Sequence, residues 1–449
     1  RLCSGGRSCK LGGVAAVRKI TNRALCVLLI AAGVIFGMIV YVLNYIDHGQ
    51  DWALYFSRSN SGSTGMLLDR SGIVLASFGG ADEFFSPDAE TRMSNYHVTG
   101  DYWGRTGTGI LSRYRRDVNG FSLLTGTTRT ENSTLTLTVD ARLNNKIYEL
   151  LDTEHNAAVL VCNYKTGELL GMVSAPTVDP LDVENGVPDG AYLNRCLSAA
   201  FTPGSTFKLV TAAAAIENIP DINERTFYCE GEYKIAGVPI TCKAAHYTQT
   251  FEQALSNSCN IAFAQIAVML GHETMIDYVT KYGFLSSHEL DGIGCASGTY
   301  PLDFVGDPEL GWSGIGQSTD TICPYAMLRY VCAIANGGTL IEPHMVSGEE
   351  PVTTALIEPA TAKQLTQMMN YNVVDHYDGD VNFPGLKLCA KTGTAELGDG
   401  DSHSWFVGFL ADDEHPYAFV TLVERGGYGI TVAGAITNGF LQWAVENIE

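Results

Sequence analysis

One stretch near the start of the chain, Ala24 to Leu43, contains no charged residue. A helix of about 20 residues spans the ~30 Å hydrocarbon layer of a bilayer and satisfies its backbone hydrogen bonds internally. We therefore expect a transmembrane helix over residues 24–45. The alternative is a cleaved signal peptide, but the run is longer than a ~7–15-residue signal core, and residues 43–46 offer no small-residue cleavage site.

The charges on the two sides of this run differ sharply. Residues 1–46 contain six basic residues and no acid, whereas the whole chain has a formal net charge of −21. Basic residues favour the cytoplasmic side, so residues 1–23 are expected to form a cytoplasmic tail and the remainder to lie outside the cell. So acidic a chain is repelled by phosphate backbones, which argues against nucleic acid as a partner.

Cysteine usage leaves two interpretations open. Of the twelve cysteines, three lie in the tail and the apolar run. Cys229 and Cys242 flank a segment that is typical of a short hairpin, so they could form a disulfide; reduced cysteines are the alternative. The sequence has no C-x-x-C pair and its ten histidines are scattered, so we expect no metal site.

The remaining chain divides into two regions with different sequence patterns. Residues 46–154 begin with two short strands around a turn at 69–72 and continue with weak periodicity, which predicts a small, irregular, β-rich pedestal domain. Residues 155–449 show strand patterns at both ends and helical patterns between them. Strands are expected at 157–162, 168–173, 386–392, 405–410 and 417–423, and helices at 141–151, 205–216, 251–270, 325–335, 360–369 and 436–446. This order is typical of an α+β fold around a mainly antiparallel sheet.

Ser205 and Lys208 form a Ser-x-x-Lys motif after a Pro-Gly turn. The apolar, alanine-rich run that follows predicts a helix, so both side chains lie on the same face near the helix N-terminus. A serine hydroxyl becomes nucleophilic when a base takes its proton, and a neutral lysine can be that base. Taken alone, the tetrapeptide is common by chance.

Two further motifs follow. Ser258 and Asn260 form a Ser-x-Asn in the predicted 251–270 helix, where polar side chains are costly unless they are capped, exposed or placed for function; the alternative is a simple irregularity of the helix. Lys391-Thr392-Gly393-Thr394 lies on a predicted strand that could pair with an extended peptide, with the glycine admitting a ligand backbone. A second Lys-Thr-Gly at 165–167 lacks the apolar lead-in and is interpreted as an ordinary turn.

The order of these three motifs matches the set of penicillin-binding proteins and class A β-lactamases. Residues 155–449 resemble a penicillin-binding transpeptidase domain, with an antiparallel sheet flanked by helices. Residues 65–76 resemble the opening of the class B pedestal, and the short pedestal is most similar to the PbpA type. The resemblance implies a membrane-anchored peptidoglycan D,D-transpeptidase that needs no cofactor.

Carried over by motif, the resemblance implies a role for each site residue. Ser205 would be the nucleophile and Lys208 its base, while Ser258 relays a proton and Asn260 holds Lys208. Lys391 would supply positive charge. Thr392, Gly393 and Thr394 would bind the substrate, and the backbone N–H groups of Ser205 and Thr394 would form the oxyanion hole.

The resemblance also implies partners and alternatives. Stem peptides ending in D-Ala-D-Ala, an acceptor amine and β-lactams would be ligands, and a SEDS-family glycan polymerase would be a protein partner. A D,D-carboxypeptidase or a β-lactamase would use the same acylation chemistry. A β-lactam sensor or polymerase-binding scaffold would be non-enzymatic, although a 23-residue tail is too short for a signalling domain.

Overall fold

A computed structural model describes residues 9–47, 65–77, 84–101, 105–119, 121–122, 127–128, 133–151, 155–301, 303 and 306–448. Helix α1 covers Cys9–Asp47. Its segment Arg18–Tyr45 is, among the described residues, the one helix long and apolar enough to cross a membrane. The predicted span at 24–45 lies within it, and large apolar side chains such as that of Phe36, 68% exposed, are left uncovered.

The next region contains short elements, as its weak periodicity predicts. In chain order they are β1 (Met66–Leu68), β2 (Val74–Ser77), α2 (Ala89–Ser94), α3 (Tyr96–Thr99), α4 (Leu111–Asn119), β3 (Phe121–Ser122), β4 (Thr127–Thr128), β5 (Thr134–Thr136) and α5 (Ala141–Leu150). Strands β2, β1 and β5 form a three-stranded sheet, and β3 pairs with β4. The described elements of this region are therefore small.

The rest of the described chain alternates hairpins and helices. Its first part contains β6 (Ala157–Asn163), β7 (Leu169–Ala175), α6 (Lys208–Asn218), β8 (Thr226–Cys229), β9 (Glu232–Ile235), β10 (Val238–Thr241), β11 (Tyr247–Thr250), α7 (Phe251–Ser256), α8 (Asn260–Leu270) and α9 (His272–Lys281). The second contains β12 (Glu289–Leu290), β13 (Ile293–Gly294), α10 (Asp307–Ser313), α11 (Pro324–Ala335), β14 (Thr339–Ile341), β15 (Thr353–Ala355), α12 (Pro359–His376), α13 (Gly379–Asn382), β16 (Leu388–Glu396), β17 (Ser402–Leu410), β18 (Tyr417–Val423) and α14 (Ala435–Asn447).

A five-stranded antiparallel sheet in the order β16-β17-β18-β6-β7 forms the centre. Its strands are almost entirely buried, so both faces are covered. Because side chains alternate along a strand, Val159 and Val161 pack with α5 and α14, whereas Leu160 packs with α6, α8 and α11 on the other face. The predicted α+β fold with an antiparallel sheet flanked by helices is confirmed.

The region before the sheet is attached to it at β5 and α5. Thr138, just after β5, donates its hydroxyl hydrogen to the Leu169 carbonyl of β7 at 2.8 Å. Asn144 of α5 accepts a hydrogen bond from the Met172 N–H of β7 at 3.0 Å. The end of the short-element region therefore also covers one face of the central sheet.

The continuous helix predicted over 251–270 is wrong, and the alternative of an irregularity at the Ser-x-Asn is confirmed. The helix expected over 251–270 is two helices, α7 and α8, separated at 257–259. Ser258 has φ +51, and the N–H groups of Ser258 and Cys259 donate to the carbonyls of Leu255 and Ala254. This is a Schellman ending, with a serine at the position that glycine usually occupies. The helical period continues through the break, so periodicity alone could not reveal it.

Candidate active site

Ser205 lies in a tight turn that is fixed to the central sheet. The turn is a 3₁₀ segment, Gly204–Phe207, that leads directly into α6. The indole N–H of Trp405 on β17 donates to the Thr202 carbonyl at 3.0 Å. Gly204 has φ +54, and its N–H donates to Gly316 at 2.9 Å. Only a glycine adopts this backbone without strain, so the Pro-Gly pair sets the position of Ser205.

Lys208 begins α6 and is completely buried. Its Nζ lies 3.0 Å from Ser205 Oγ, as the three-residue spacing predicts. The same nitrogen donates to the Ser258 carbonyl at 2.6 Å and to Asn260 Oδ1 at 2.7 Å. The Ser-x-x-Lys motif and the Ser-x-Asn motif therefore meet at one amine.

Ser258 occupies the break between α7 and α8 and connects two lysines. Its Oγ lies 3.2 Å from Lys208 Nζ and 3.0 Å from Lys391 Nζ. Lys391, on β16, is also completely buried and donates to the Thr392 carbonyl at 3.0 Å. Asn260 donates its Nδ2–H to the Thr241 carbonyl at 3.0 Å. The fold thus brings all five predicted catalytic side chains into one continuous set of hydrogen bonds.

The two buried amines cannot both hold a proton cheaply. Burial lowers the pKa of Lys208 to about 8. Burial, followed by repulsion from Lys208 and Lys243, lowers the pKa of Lys391 well below its usual value. A neutral Lys208 has two N–H groups and one lone pair. If the N–H groups donate to the two closest acceptors, the Ser258 carbonyl and Asn260 Oδ1, the lone pair is left for the hydroxyl of Ser205 or Ser258. This arrangement can activate the serine hydroxyl.

The Lys-Thr-Gly strand borders the same cleft. The lack of a side chain at Gly393, however, serves a different purpose from the one that the sequence suggested. A Cβ on Gly393 would lie 2.7 Å from the Pro203 carbonyl and 3.0 Å from Thr206 Cγ2. The absent side chain lets β16 pack against the turn that carries Ser205, rather than making room for a ligand. Thr392 and Thr394 point the other way and line the cleft.

The cleft has a volume of about 380 Å³. Besides Ser205, Ser258 and Asn260, its lining includes Thr241, Lys243, His246, Trp312, Gln317, His376, Tyr377, Thr392, Thr394, Glu396 and Tyr428. The second Lys-Thr-Gly, at 165–167, lies in the turn between β6 and β7, as predicted, with Lys165 and Thr166 exposed.

Several residues of the cleft were missed by the sequence argument, among them Tyr377 and Lys243. The Tyr377 hydroxyl accepts from the Thr392 N–H at 2.9 Å and lies 2.7 Å from Thr392 Oγ1. Lys243 lies 4.2 Å from the centre of the Tyr428 ring. Neither residue belongs to a local motif. In the sequence, Lys243 is only a cation shortly after a strand, and Tyr377 is only a phenol directly after a helix.

The thiols of Cys229 and Cys242 are free, so the structure does not contain the disulfide that the hairpin suggested. The hairpin itself, β9 with β10, is confirmed. The ligand atoms of both cysteines lie with those of His246 and Cys259 within 4.8 Å of one another. We expected no metal site because the sequence has no C-x-x-C pair and its histidines are scattered. The fold nevertheless brings together four residues that lie apart in the sequence.

The comparison with family models gives one match. The model of the "Penicillin binding protein transpeptidase domain" matches residues 157–442. This range contains the turn of Ser205, the helix break at Ser258 and strand β16.

Curated relatives are similar over much of the chain. Stage V sporulation protein D of Bacillus subtilis is 29% identical over 339 residues, which are 68% of this chain and 52% of that protein. Peptidoglycan D,D-transpeptidase PbpA of Mycobacterium tuberculosis is 26% identical over 318 residues, 62% of this chain and 63% of that protein. The chain therefore spans between about half and just under two thirds of the length of these relatives.

Solved structures share the fold. The D,D-transpeptidase domain of a peptidoglycan glycosyltransferase from Eggerthella lenta has a TM-score of 0.75 at 23% identity, covering 86% of this chain and 99% of that chain. PBPA from Mycobacterium tuberculosis has a TM-score of 0.74 at 23% identity, covering 86% of this chain and 100% of that chain. Together with the family model, which matches well over half of the sequence, these findings show that the chain belongs to the penicillin-binding protein transpeptidase family, among its class B members.

Proposed function

We propose that the chain is a peptidoglycan D,D-transpeptidase that cross-links stem peptides through an acyl-enzyme on Ser205. The observation that carries the proposal is the buried Lys208 amine, within hydrogen-bond distance of Ser205 Oγ and Ser258 Oγ. Such an amine can take a proton from one hydroxyl and pass it to the other.

Acylation follows from these contacts. Neutral Lys208 takes the Ser205 hydroxyl proton while Oγ attacks the carbonyl of the penultimate D-alanine. The C–N bond to the terminal D-alanine then breaks, and the departing amine receives its proton through Ser258. Asn260, which accepts from Lys208, keeps this amine aimed at Ser205.

Two groups of residues would hold the substrate. The backbone N–H groups of Ser205 and Thr394 would stabilise the oxyanion, and one such donor contributes about 3 kcal/mol in related acyl-transfer chemistry. Thr392 and Thr394 would bind the terminal carboxylate, and the backbone of the strand, including that of Gly393, would pair with the extended peptide. Support comes from the close packing of the two segments, since a Cβ on Gly204 would lie 3.0 Å from the Thr394 carbonyl.

The second half-reaction re-forms an amide. An acceptor amine from a neighbouring stem attacks the Ser205 ester, the C–O bond breaks, and Ser205 regains its proton. One amide bond is broken and another is formed, so the reaction needs no ATP. Nothing in it requires a cofactor. β-lactams would acylate the same oxygen, as in the ceftriaxone and imipenem acyl-enzymes of M. tuberculosis penicillin-binding protein A.

The proposed protein has four parts: a cytoplasmic tail at 1–23, a transmembrane helix at 24–45, a pedestal at 46–154 and the transpeptidase domain at 155–449. The excess of basic residues before the apolar run supports a catalytic domain outside the cell. A SEDS-family glycan polymerase, contacting the pedestal, would supply the strands that this domain cross-links.

A fluorescent penicillin tests the nucleophile. The full-length protein should form a stable adduct that peptide mapping places on Ser205, and Ser205→Ala should form none. Ser198→Ala, at an exposed serine on the same segment, should label like the native protein. An adduct on another residue, or undiminished labelling of Ser205→Ala, would overturn the proposal.

Product analysis separates the alternatives. With a D-Ala-D-Ala peptide and a labelled amine, a transpeptidase forms the amide, whereas a carboxypeptidase forms only the free acid. A β-lactamase would turn over a chromogenic β-lactam rapidly instead of keeping the adduct. If Ser205→Ala retained full cross-linking activity in cells, the scaffold alternative would replace catalysis.

A further inference from the structure

A cluster of three cysteines and one histidine lies beside the helix break of the active site. Cys229 ends β8, Cys242 follows β10, His246 precedes β11, and Cys259 lies between Ser258 and Asn260. The three sulfurs and one imidazole nitrogen lie within 4.8 Å of one another. Residues from three separate segments, the end of β8, the β10–β11 connection and the break between α7 and α8, therefore converge on one point.

The separations suit a tetrahedral metal ion. With metal–sulfur bonds of about 2.3 Å and a metal–nitrogen bond of about 2.0 Å, a tetrahedral site separates sulfur from nitrogen by about 3.5 Å. His246 Nδ1 lies 3.6 Å from Cys229 Sγ and 3.6 Å from Cys242 Sγ. A tetrahedron with bonds of about 2.3 Å separates two sulfurs by about 3.8 Å, and the ligand atoms here all lie within 4.8 Å of one another.

The surroundings suit thiolates rather than a disulfide. Cys259 Sγ accepts the Ala262 N–H at 3.5 Å, so a backbone dipole already faces that sulfur. A disulfide would leave one of the three cysteines unpaired and would give the imidazole between them no role. A metal ion uses all four side chains.

We propose that Cys229, Cys242, His246 and Cys259 bind a zinc ion in a closed Cys₃His site. Three soft thiolates and an imidazole in a tetrahedral set are typical of structural zinc, and four protein ligands leave no position for a reacting group. The ion would tie the β8–β11 segment to the start of α8 and so fix the backbone between Ser258 and Asn260.

Metal analysis of the untagged full-length protein, purified in detergent, tests the site. The native protein should retain about one zinc ion per chain after dialysis against EDTA. Cys229→Ser, which removes a ligand that does not line the cleft, should lose at least ten-fold in zinc content. Cys295→Ser, at a buried cysteine outside the cluster, should keep its zinc.

Two measurements need no variant. Cobalt(II) in place of zinc should give the intense visible bands of a tetrahedral site and a thiolate charge-transfer band in the near ultraviolet. Removing the zinc with a strong chelator should expose three additional thiols to a thiol reagent.

Failure of this proposal is distinct from failure of the proposed activity. Zinc-free protein with all cluster thiols reduced, or a disulfide between two of these cysteines in freshly purified protein, would overturn the zinc site while leaving labelling of Ser205 intact. If the site exists and Ser205 acylates, chelation should slow fluorescent-penicillin labelling at least ten-fold, since the Ser258–Asn260 segment loses its anchor. Unchanged labelling would overturn the structural role proposed for the ion.

Discussion

Two buried lysines share one serine hydroxyl, and this contact decides the chemistry at the scale of single residues. Lys208 and Lys391 both lie against Ser258 Oγ. A buried ammonium costs free energy because water no longer solvates it, and a second one nearby adds repulsion. This cost favours the neutral amine, and the neutral amine is the form that can take a proton from Ser205.

The first prediction concerns pH. Burial lowers the pKa of Lys208 to about 8, and only the neutral amine can act as a base. The rate of Ser205 acylation should therefore rise about ten-fold per pH unit below this value and level off above it. Stopped-flow labelling with a penicillin from about pH 6 to about pH 9 checks this.

The control for this profile is the unfolding transition at each pH, which should show that the protein stays folded. Lys208→Arg should not be acylated at any of these pH values, because a guanidinium stays protonated. A rate that does not change with pH would contradict the assignment of Lys208 as the base.

At the scale of secondary structure, the break between α7 and α8 places Ser258. A capping box of Thr250 and Gln253 begins α7, and the left-handed backbone at Ser258 ends it. A non-glycine residue in this conformation raises the free energy of the folded state by about 1 kcal/mol. Such strain is found mainly at functional sites. In this backbone conformation, the Ser258 hydroxyl faces both lysines.

A pair of substitutions separates strain from function. Ser258→Gly and Ser258→Ala both remove the hydroxyl, so both should lose acylation at least a hundred-fold. Ser258→Gly should nevertheless be more stable than Ser258→Ala by about 1 kcal/mol, since glycine adopts positive φ freely. Urea unfolding together with penicillin labelling measures both effects. Equal stability of the two variants would contradict the strain.

The contact between β16 and the Ser205 turn gives a third prediction. The Cβ of Gly393→Ala would lie 2.7 Å from the Pro203 carbonyl and would push the turn away from the strand. Acylation should fall at least ten-fold and the unfolding midpoint should drop. Gly294→Ala has open space around its Cβ and should behave like the native protein. Native labelling rates in Gly393→Ala would show that the turn does not need this contact.

On the scale of the whole molecule, a chain with a net negative charge has three lysines at its cleft and carries an apolar helix near one end. The net charge is −21, yet Lys208, Lys391 and Lys243 lie in or beside the cleft. The basic side chain of Lys243 in the cleft lining suits a substrate with a terminal carboxylate. The helix Arg18–Tyr45 is uncovered along its length, which suits contact with lipid.

The fourth prediction tests that helix. Full-length protein should stay in the membrane fraction after alkaline carbonate extraction, because a spanning helix is not released by high pH. Cleavage of an engineered protease site after residue 47 should release the remainder into the soluble fraction. Recovery of the uncleaved protein in the carbonate supernatant would contradict the anchor.

The sequence by itself determined the features that depend on neighbouring residues. The apolar run from Ala24, the buried strands β6 and β18 and the helix after Ser205 all follow from local periodicity and composition. The three motifs of the site could be found because each is contiguous, and their order indicated the family.

Only the tertiary structure decided how these pieces meet. It ended α7 at a strained serine and showed that Gly393 packs against the Ser205 turn. It also added Tyr377 to the cleft and brought Cys229 and Cys259 together with Cys242 and His246. The physical reason is that each of these features depends on contacts between segments far apart in the chain. Local hydrophobic patterns place residues on a face, whereas burial, repulsion and close packing between faces are fixed only when the chain has folded.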